Sequence, residues 1–394
     1  MIPILYDTNE VAFTSNGLGR LSDTISCVVT EERNGIYECD FSYPVSGRNY
    51  DLIKIGRIIG VSHGVSDLTR PTFRREDLTD EKNDSLTDEE GFVLTAARTG
   101  FAPEYSIQPF DIVSFTRPID GVVTFHCVHV SYRQSYLTVT GANINSLEDA
   151  FTLLKNAEPD NPFNYKTDKT DTGYMSAADG IPQTVRSLLG GVEGSILDTY
   201  GGEYEWDGFD VILHSARGVT RDFSIRYGVN MLDYNEEFDS QGTYSSCIPY
   251  WTNGTNTIIG DRQDSSGYTL TGRNECVPLD VSSKFESQPT KAQVEAMALS
   301  VMNDTNPMVP VQNIHVEFVR LQDMGYKGLE LLFDCQLCDT IKVVFPAYNT
   351  TGEFKIVKTT WDVLRNRYES MELGDLSITL AEALGIKKVS TSKN

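Results

Sequence analysis

Short runs of alternating apolar and polar residues dominate the first part of the chain. Ile25, Cys27 and Val29 alternate with Ser26, Val28 and Thr30, and Tyr37, Cys39 and Phe41 alternate with Glu38 and Asp40. Period two predicts strands with one buried face. Asn34-Gly35 separates the two runs and predicts a hairpin, because both residues tolerate the positive φ a tight turn requires. Ile55 to Val61, Phe110 to Phe115 and Val122 to Tyr132 continue the pattern. Strands this short and this closely spaced predict a small barrel or sandwich. Between them, Gly64 to Ser106 is rich in Asp, Glu, Thr and Arg, and Thr79 to Ser85 offers nothing to bury. That stretch reads as a surface insertion, mobile or contacting a neighbour.

The period changes after residue 137. Ser146 followed by Asp149 predicts an N-cap, and Leu147, Ala150, Phe151 and Leu154 form one helical face that Pro159, Asn161 and Pro162 end. Thr184 caps a second short helix, broken by Gly190, Gly191 and Gly194; Ser195 and Asp198 form a capping signal for a third, ending at Gly201-Gly202. Glu203 to Trp206 and Phe209 to His214 then flank Asp207-Gly208, read as a two-residue type I′ turn. Together these segments predict a compact α+β unit. From Thr220 strands return: Ile314, Val316 and Phe318 alternate with His315, Glu317 and Val319, and Leu329 to Phe333 and Ile341 to Phe345 follow. One helix interrupts them, with Thr290 and Gln293 as a capping box and Val294, Met297, Ala298 and Val301 as its apolar face. Strands at Glu353 to Thr360 and Tyr368 to Leu373 precede a weak C-terminal helix and a polar tail.

At 394 residues, with 40% hydrophobic and 23% charged residues, the chain is expected to fold into two to four domains. No run approaches the ~18 apolar residues that would span a bilayer, and no secretion signal is evident, so synthesis and retention in the cytoplasm are expected. A net charge of −23 argues against a protein that grips phosphate; it keeps a large protein soluble, and an acidic wall would also let DNA slide past without sticking. Seven scattered cysteines fit reduced thiols better than a disulfide framework.

Candidate chemistry is sparse. Cys335 and Cys338 form a C-x-x-C without the second ligand pair a zinc site needs, and not at a helix start where a redox thiolate is activated. His126 and His129, three apart on a strand, point to opposite faces and cannot share a metal. Glu203, Glu205, Asp207 and Asp210 form an acidic cluster that reads as the polar face of a half-buried hairpin, with Tyr204 and Trp206 opposite. Glu193-Gly194-Ser195 lacks the second glycine of a nucleophile elbow. No catalytic, metal or cofactor-binding residue is assigned.

The run GGVEGSILD-Y-GGEYEWD at Gly190 to Asp207 resembles the N-terminal hub region of phage tail-tip proteins, the tail-associated lysin or prophage endopeptidase tail family. The opening Met1 to Val45 and the segment Val357 to Gly374 are similar to the start and end of that region. The resemblance implies a baseplate-hub-like α+β fold, mostly β. Residues 1–136 would form a first β-barrel with the insertion at about 64–105, 137–215 an α+β domain, and 216–374 a second barrel with an inserted helix at 290–302. Residues 375–394 would be a helix and tail. It also implies a homotrimer whose six barrels match a hexameric distal tail protein, with contacts to other tail-tip or tape-measure proteins. Such a ring would enclose a DNA-ejection channel in the virion of a phage of Gram-positive bacteria. Ile55 to Val61 and Leu337 to Val343, each a turn before a short apolar strand, hint at the duplication. Lytic domains follow the hub in such proteins, and this chain stops at Asn394, so it is expected not to be an enzyme. The alternatives are a cell-wall endopeptidase, or a wall-carbohydrate binder using Trp251 and Tyr250 as stacking platforms.

Overall fold

The computed structural model describes residues 2–13, 15–62, 75–77, 95–97, 107–141, 143–178, 180–228, 231–239, 243–264, 275–305, 311–318, 335–346 and 350–374. The expected acidic stretch at Thr79 to Ser85, the strand at Leu329 to Phe333 and the C-terminal helix lie outside these residues.

The N-terminal segment supplies β1 (Ile4–Tyr6), β2 (Gly19–Arg20), β3 (Ser26–Glu32), β4 (Tyr37–Pro44), β5 (Ile58–Ser62), β6 (Arg75–Asp77), β7 (Thr95–Ala97), β8 (Ile107–Thr116) and β9 (Val122–His129). The strands β6 and β7 pair antiparallel as a separate two-stranded sheet. The alternation expected from sequence holds on β4, where Tyr37, Cys39, Phe41 and Tyr43 are buried, and on β3 from Cys27 onward. Ile25 is the exception: it precedes β3 and is 56% exposed. The buried face runs on instead to the carboxylate of Glu31. Asn34 adopts the left-handed conformation expected of the hairpin, φ 56°. The last strand ends earlier than expected, at His129, because the 3-10 turn Val130–Tyr136 follows.

The middle segment contains β10 (Thr138–Val139), α1 (Leu147–Lys155), β11 (Asn164–Thr167), β12 (Gln183–Thr184), α2 (Val185–Leu189), α3 (Ile196–Tyr200), β13 (Glu203–Asp207) and β14 (Asp210–His214). Ser146 Oγ accepts from the Asp149 N–H at 3.1 Å, Thr184 Oγ1 from the Ser187 N–H at 3.2 Å, and Leu147, Ala150, Phe151 and Leu154 are buried. The expected cap at Ser195 is made differently. Asp198 accepts from the Gly194 N–H at 2.8 Å, while the Ser195 hydroxyl makes no cap bond. The hairpin turn also shifts by one residue, to Gly208-Phe209. Gly208 carries φ 57° and Phe209 has no positive φ, the type II′ pattern. Asp207 stays in β13, where its carboxylate accepts from Gln108 Nε2 at 2.8 Å.

The last segment gives β15 (Thr220–Arg226), β16 (Met231–Asp239), β17 (Ser246–Thr252), β18 (Thr257–Ile259), β19 (Gln263–Asp264), β20 (Cys276–Asp280), α4 (Lys291–Thr305), β21 (Val311–Phe318), β22 (Thr340–Phe345), β23 (Thr350–Asp362) and β24 (Arg367–Gly374). The Thr290 N–H donates to Gln293 Oε1 at 2.8 Å, closing the expected box. Val294, Ala298 and Met302 face Trp251 and Cys247, so α4 covers one side of a four-stranded sheet, β17 to β20.

The architecture is mostly β with few helices, as expected. A thirteen-stranded sheet curls into a half-barrel, in the order β16-β21-β24-β23-β3-β4-β9-β8-β5-β1-β2, with β22 and β15 branching from β23. The N- and C-terminal sheets are thus hydrogen-bonded to one another. The link is β23, whose first half pairs with β22 and whose second half, Lys358 to Asp362, pairs with Glu32 to Val28 of β3. Trp361 on β23 is fully buried in the N-terminal apolar cluster, edge-on to Tyr368 at 4.6 Å. The α+β unit shares that cluster through Leu188, Tyr204, Trp206 and Leu213. Apolar area buried in this common core, at ~25 cal/mol per Å², helps to hold the two parts together.

Candidate functional site: a charged junction

Polar groups converge where the tip of the β3–β4 hairpin, the start of β13, the 215–219 connection and β23 meet. Asn34 is fixed by its turn, and its side chain imitates a strand: Nδ2 donates to the Gly202 carbonyl at 2.9 Å and Oδ1 accepts from the Tyr204 N–H at 2.8 Å. Beside it, Glu203 is 8% exposed. Its carboxylate accepts from Lys355 Nζ at 2.5 and 2.7 Å, from Arg33 Nη1 at 3.2 Å and from the Arg217 N–H at 2.7 Å. The Arg217 guanidinium pairs with buried Glu31 at 3.1 Å and donates to the Tyr204 carbonyl at 3.1 Å. Burial works against its charge, but neighbouring acids, Glu31 first, more than offset that and push its pKa up.

A second knot adjoins the first. Asp339, 1% exposed, pairs with Arg221 at 2.6 Å and accepts from the Val219 and Gln336 N–H groups, both at 2.8 Å. Gly218 fits only as glycine, since at φ 84° a Cβ would lie 2.2 Å from the Cys338 carbonyl oxygen. On the outer side, Lys358 bridges Glu32 at 2.9 Å and Glu372 at 3.3 Å. Every carboxylate named here is held by a cation. The arrangement fixes orientation, and it offers no acid–base pair to a substrate.

The residues singled out from sequence are dispersed by the fold. Cys335 and Cys338 are both buried, and burial pushes the Cys338 thiol up to about 12, opposite to an activated thiolate. His126 faces outward, 2.8 Å from Asp40, whereas His129 is buried against Tyr37 and accepts from the Ser131 N–H at 3.3 Å. The four acids have four different partners: Glu203 the junction, Glu205 His214 at 2.7 Å, Asp207 Gln108, and Asp210 Lys166 at 2.5 Å. The Lys166 hydrogen bond lowers the Asp210 pKa. Ser195 Oγ is buried and has no hydrogen-bond partner, histidine or other, among the described residues. Trp251 is 4% exposed and packs in the core under α4, which removes one of the two proposed stacking platforms; Tyr250 is half-buried. Among the described residues, no group of three or more His, Cys, Asp or Glu converges as a metal site.

Sequence reasoning missed the junction and Arg186. Arg186 is 3% exposed between the rings of Tyr132 and Trp206, at 4.3 and 5.1 Å, and burial lowers its pKa. Its face of α2 is legible only when the Tyr and Trp partners are known.

No protein-family model and no curated protein matches this sequence. Solved structures do match the fold. The prophage tail protein gp18 from Listeria monocytogenes EGD-e aligns with a TM-score of 0.58 at 11% identity, over 98% of this chain and 98% of that one. A tail protein from Neisseria meningitidis MC58 aligns at 0.55 and 9% identity, over 97% and 98%. The prophage MuSo2 43 kDa tail protein from Shewanella oneidensis aligns at 0.54 and 11% identity, over 95% and 98%. Over nearly its whole length, the chain has the fold of prophage tail proteins.

Proposed function

We propose that this chain is a structural component of a bacteriophage tail tip. It forms a trimeric hub ring that joins the tail tube and its distal ring to the tip and encloses the channel for DNA. The observation that carries the proposal is the end-to-end likeness to three tail proteins, each aligned over 98% of its own length. The net charge of −23 supports a channel wall that does not retain DNA. The individually paired acids and the raised Cys338 thiol support a structural role over wall digestion. We also infer the division into 1–136, 137–215 and 216–374. Separate apolar clusters at Ile225 to Leu373 and at Cys247 to Met302 support the last of these.

Light scattering after gel filtration, over a hundredfold range of concentration, tests the proposal. A trimer that persists on dilution and shows a central pore when imaged end-on is the expected result. A persistent monomer that also fails to join a ring when mixed with the distal tail protein hexamer overturns it.

A further inference from the structure

A groove of about 670 Å³ lies between α1 and β11. Its walls are Thr152 and Lys155 on one side and Tyr165 and Thr167 on the other, with Phe151 between. The Phe151 and Tyr165 rings meet at 5.7 Å and form its floor.

The three-stranded sheet runs in the order β11-β14-β13, so β11 is an edge. Its pairing with β14 is parallel, and the Asn164 N–H donates to the Phe209 carbonyl at 3.0 Å. In a parallel ladder alternate residues turn their main-chain groups to opposite neighbours. Asn164 and Lys166 therefore bond to β14, and the N–H and C=O of Tyr165 and Thr167 point outward along the groove. Among the described residues, nothing pairs with those four groups. An open strand edge is a template for another strand, and proteins normally cover or charge such edges. Here a helix stands beside the edge with a cavity between them, the geometry in which an extended peptide adds to a sheet.

We infer that the α1–β11 groove binds an extended, uncharged peptide segment of a partner protein by strand addition to β11. The four residues of β11 span roughly 13 Å at ~3.3 Å per residue, which sets the length of the paired stretch. The charge of the lining selects the ligand. Glu148 and Asp171 are balanced by Lys155 and Lys169, two against two. Lys169 pairs with Asp171 at 3.0 Å, and Lys155 donates to the Asn161 and Phe163 carbonyls at 3.0 and 2.8 Å. Neither a strongly anionic nor a strongly cationic segment gains from such a surface. The ring floor takes the one side chain that points inward.

The test uses the full chain and a random twelve-residue peptide library displayed on beads, with selected peptides measured by fluorescence anisotropy. N-methylation of every second amide is expected to weaken binding tenfold or more in one register and little in the other. Thr152→Trp, an exposed α1 substitution that fills the groove, is expected to weaken binding by a similar factor with an unchanged circular dichroism spectrum. The inference is overturned if no peptide is selected, if both methylated registers bind alike, or if the Trp variant binds as tightly as the parent. It is also overturned if the groove takes chitotetraose instead of peptide, or if Thr152→Trp only lowers the oligomer mass. Peptide binding is read on whatever oligomer the chain forms, so failure here leaves the hub proposal standing, and the reverse.

Discussion

Replacing Glu203 with Gln removes the one anion that Lys355 and Arg33 share, with almost no change in shape. Glu203, Arg33 and Lys355 are 11%, 15% and 24% exposed at the side chain, so water compensates only weakly for the missing charge. With its oxygen at the Oε2 position the amide can still accept from the Arg217 N–H and from Lys355, which retains two of the four bonds. The Lys355 ammonium and the Arg33 guanidinium then both lose this carboxylate, close to the Arg217 guanidinium. Breaking a buried pair from one side costs ~3–5 kcal/mol, and the retained bonds place this variant at the lower end, near ~3 kcal/mol. Urea unfolding followed by Trp fluorescence is the assay, since Trp206 and Trp361 both lie in the core that the junction borders. Adding Lys355→Met to Glu203→Gln removes one of these cations, and the double variant is expected to recover at least ~1 kcal/mol. A loss below ~0.5 kcal/mol for Glu203→Gln, or strict additivity in the cycle, would refute the junction as a fixture.

Other consequences are equally open to measurement. Gly218→Ala combines a positive φ with a clash against the Cys338 carbonyl and is expected to cost more than ~2 kcal/mol. Gly208→Ala, at φ 57° with nothing within 4 Å, is expected to cost only ~1 kcal/mol in the same melts. Of the seven cysteines only Cys276 is exposed, so the native chain is expected to take one iodoacetamide label at pH 8 and the denatured chain seven, counted by mass spectrometry. Burial pushes Cys338 and Tyr132 each up to about 12. Unfolded, they ionise near about 8.5 and 10. The folded chain therefore holds protons that the unfolded chain releases, and stability is expected to be level below about pH 8.5 and to fall from there toward pH 12. A melting temperature unchanged between pH 8 and 11 would contradict those burials.

Local devices were readable in the sequence because their partners are adjacent. Ser146 with Asp149, Thr290 with Gln293, and the Asn34 turn are complete within four residues, and each forms as expected. The misplaced features depend on distant chain. Asp207 stays in a strand because Gln108, 99 residues away, bonds to it. Trp251 faces inward because α4 covers that side of its sheet. Glu203 looks like a surface acid in a polar hairpin, and its cations come from positions 33 and 355. Period-two patterning also gives no register between strands, so the ladder joining β23 to β3 was invisible, although both strands were foreseen.

That ladder has a mechanical consequence. One continuous thirteen-residue strand belongs to both the N-terminal and the C-terminal sheet. A pull along its length loads the backbone bonds to β3, β22 and β24 together, in shear, so none can open ahead of the others like a zipper. The strand is a tie rod: tension applied where it pairs with β22 reaches its ladder with β3 along continuous backbone.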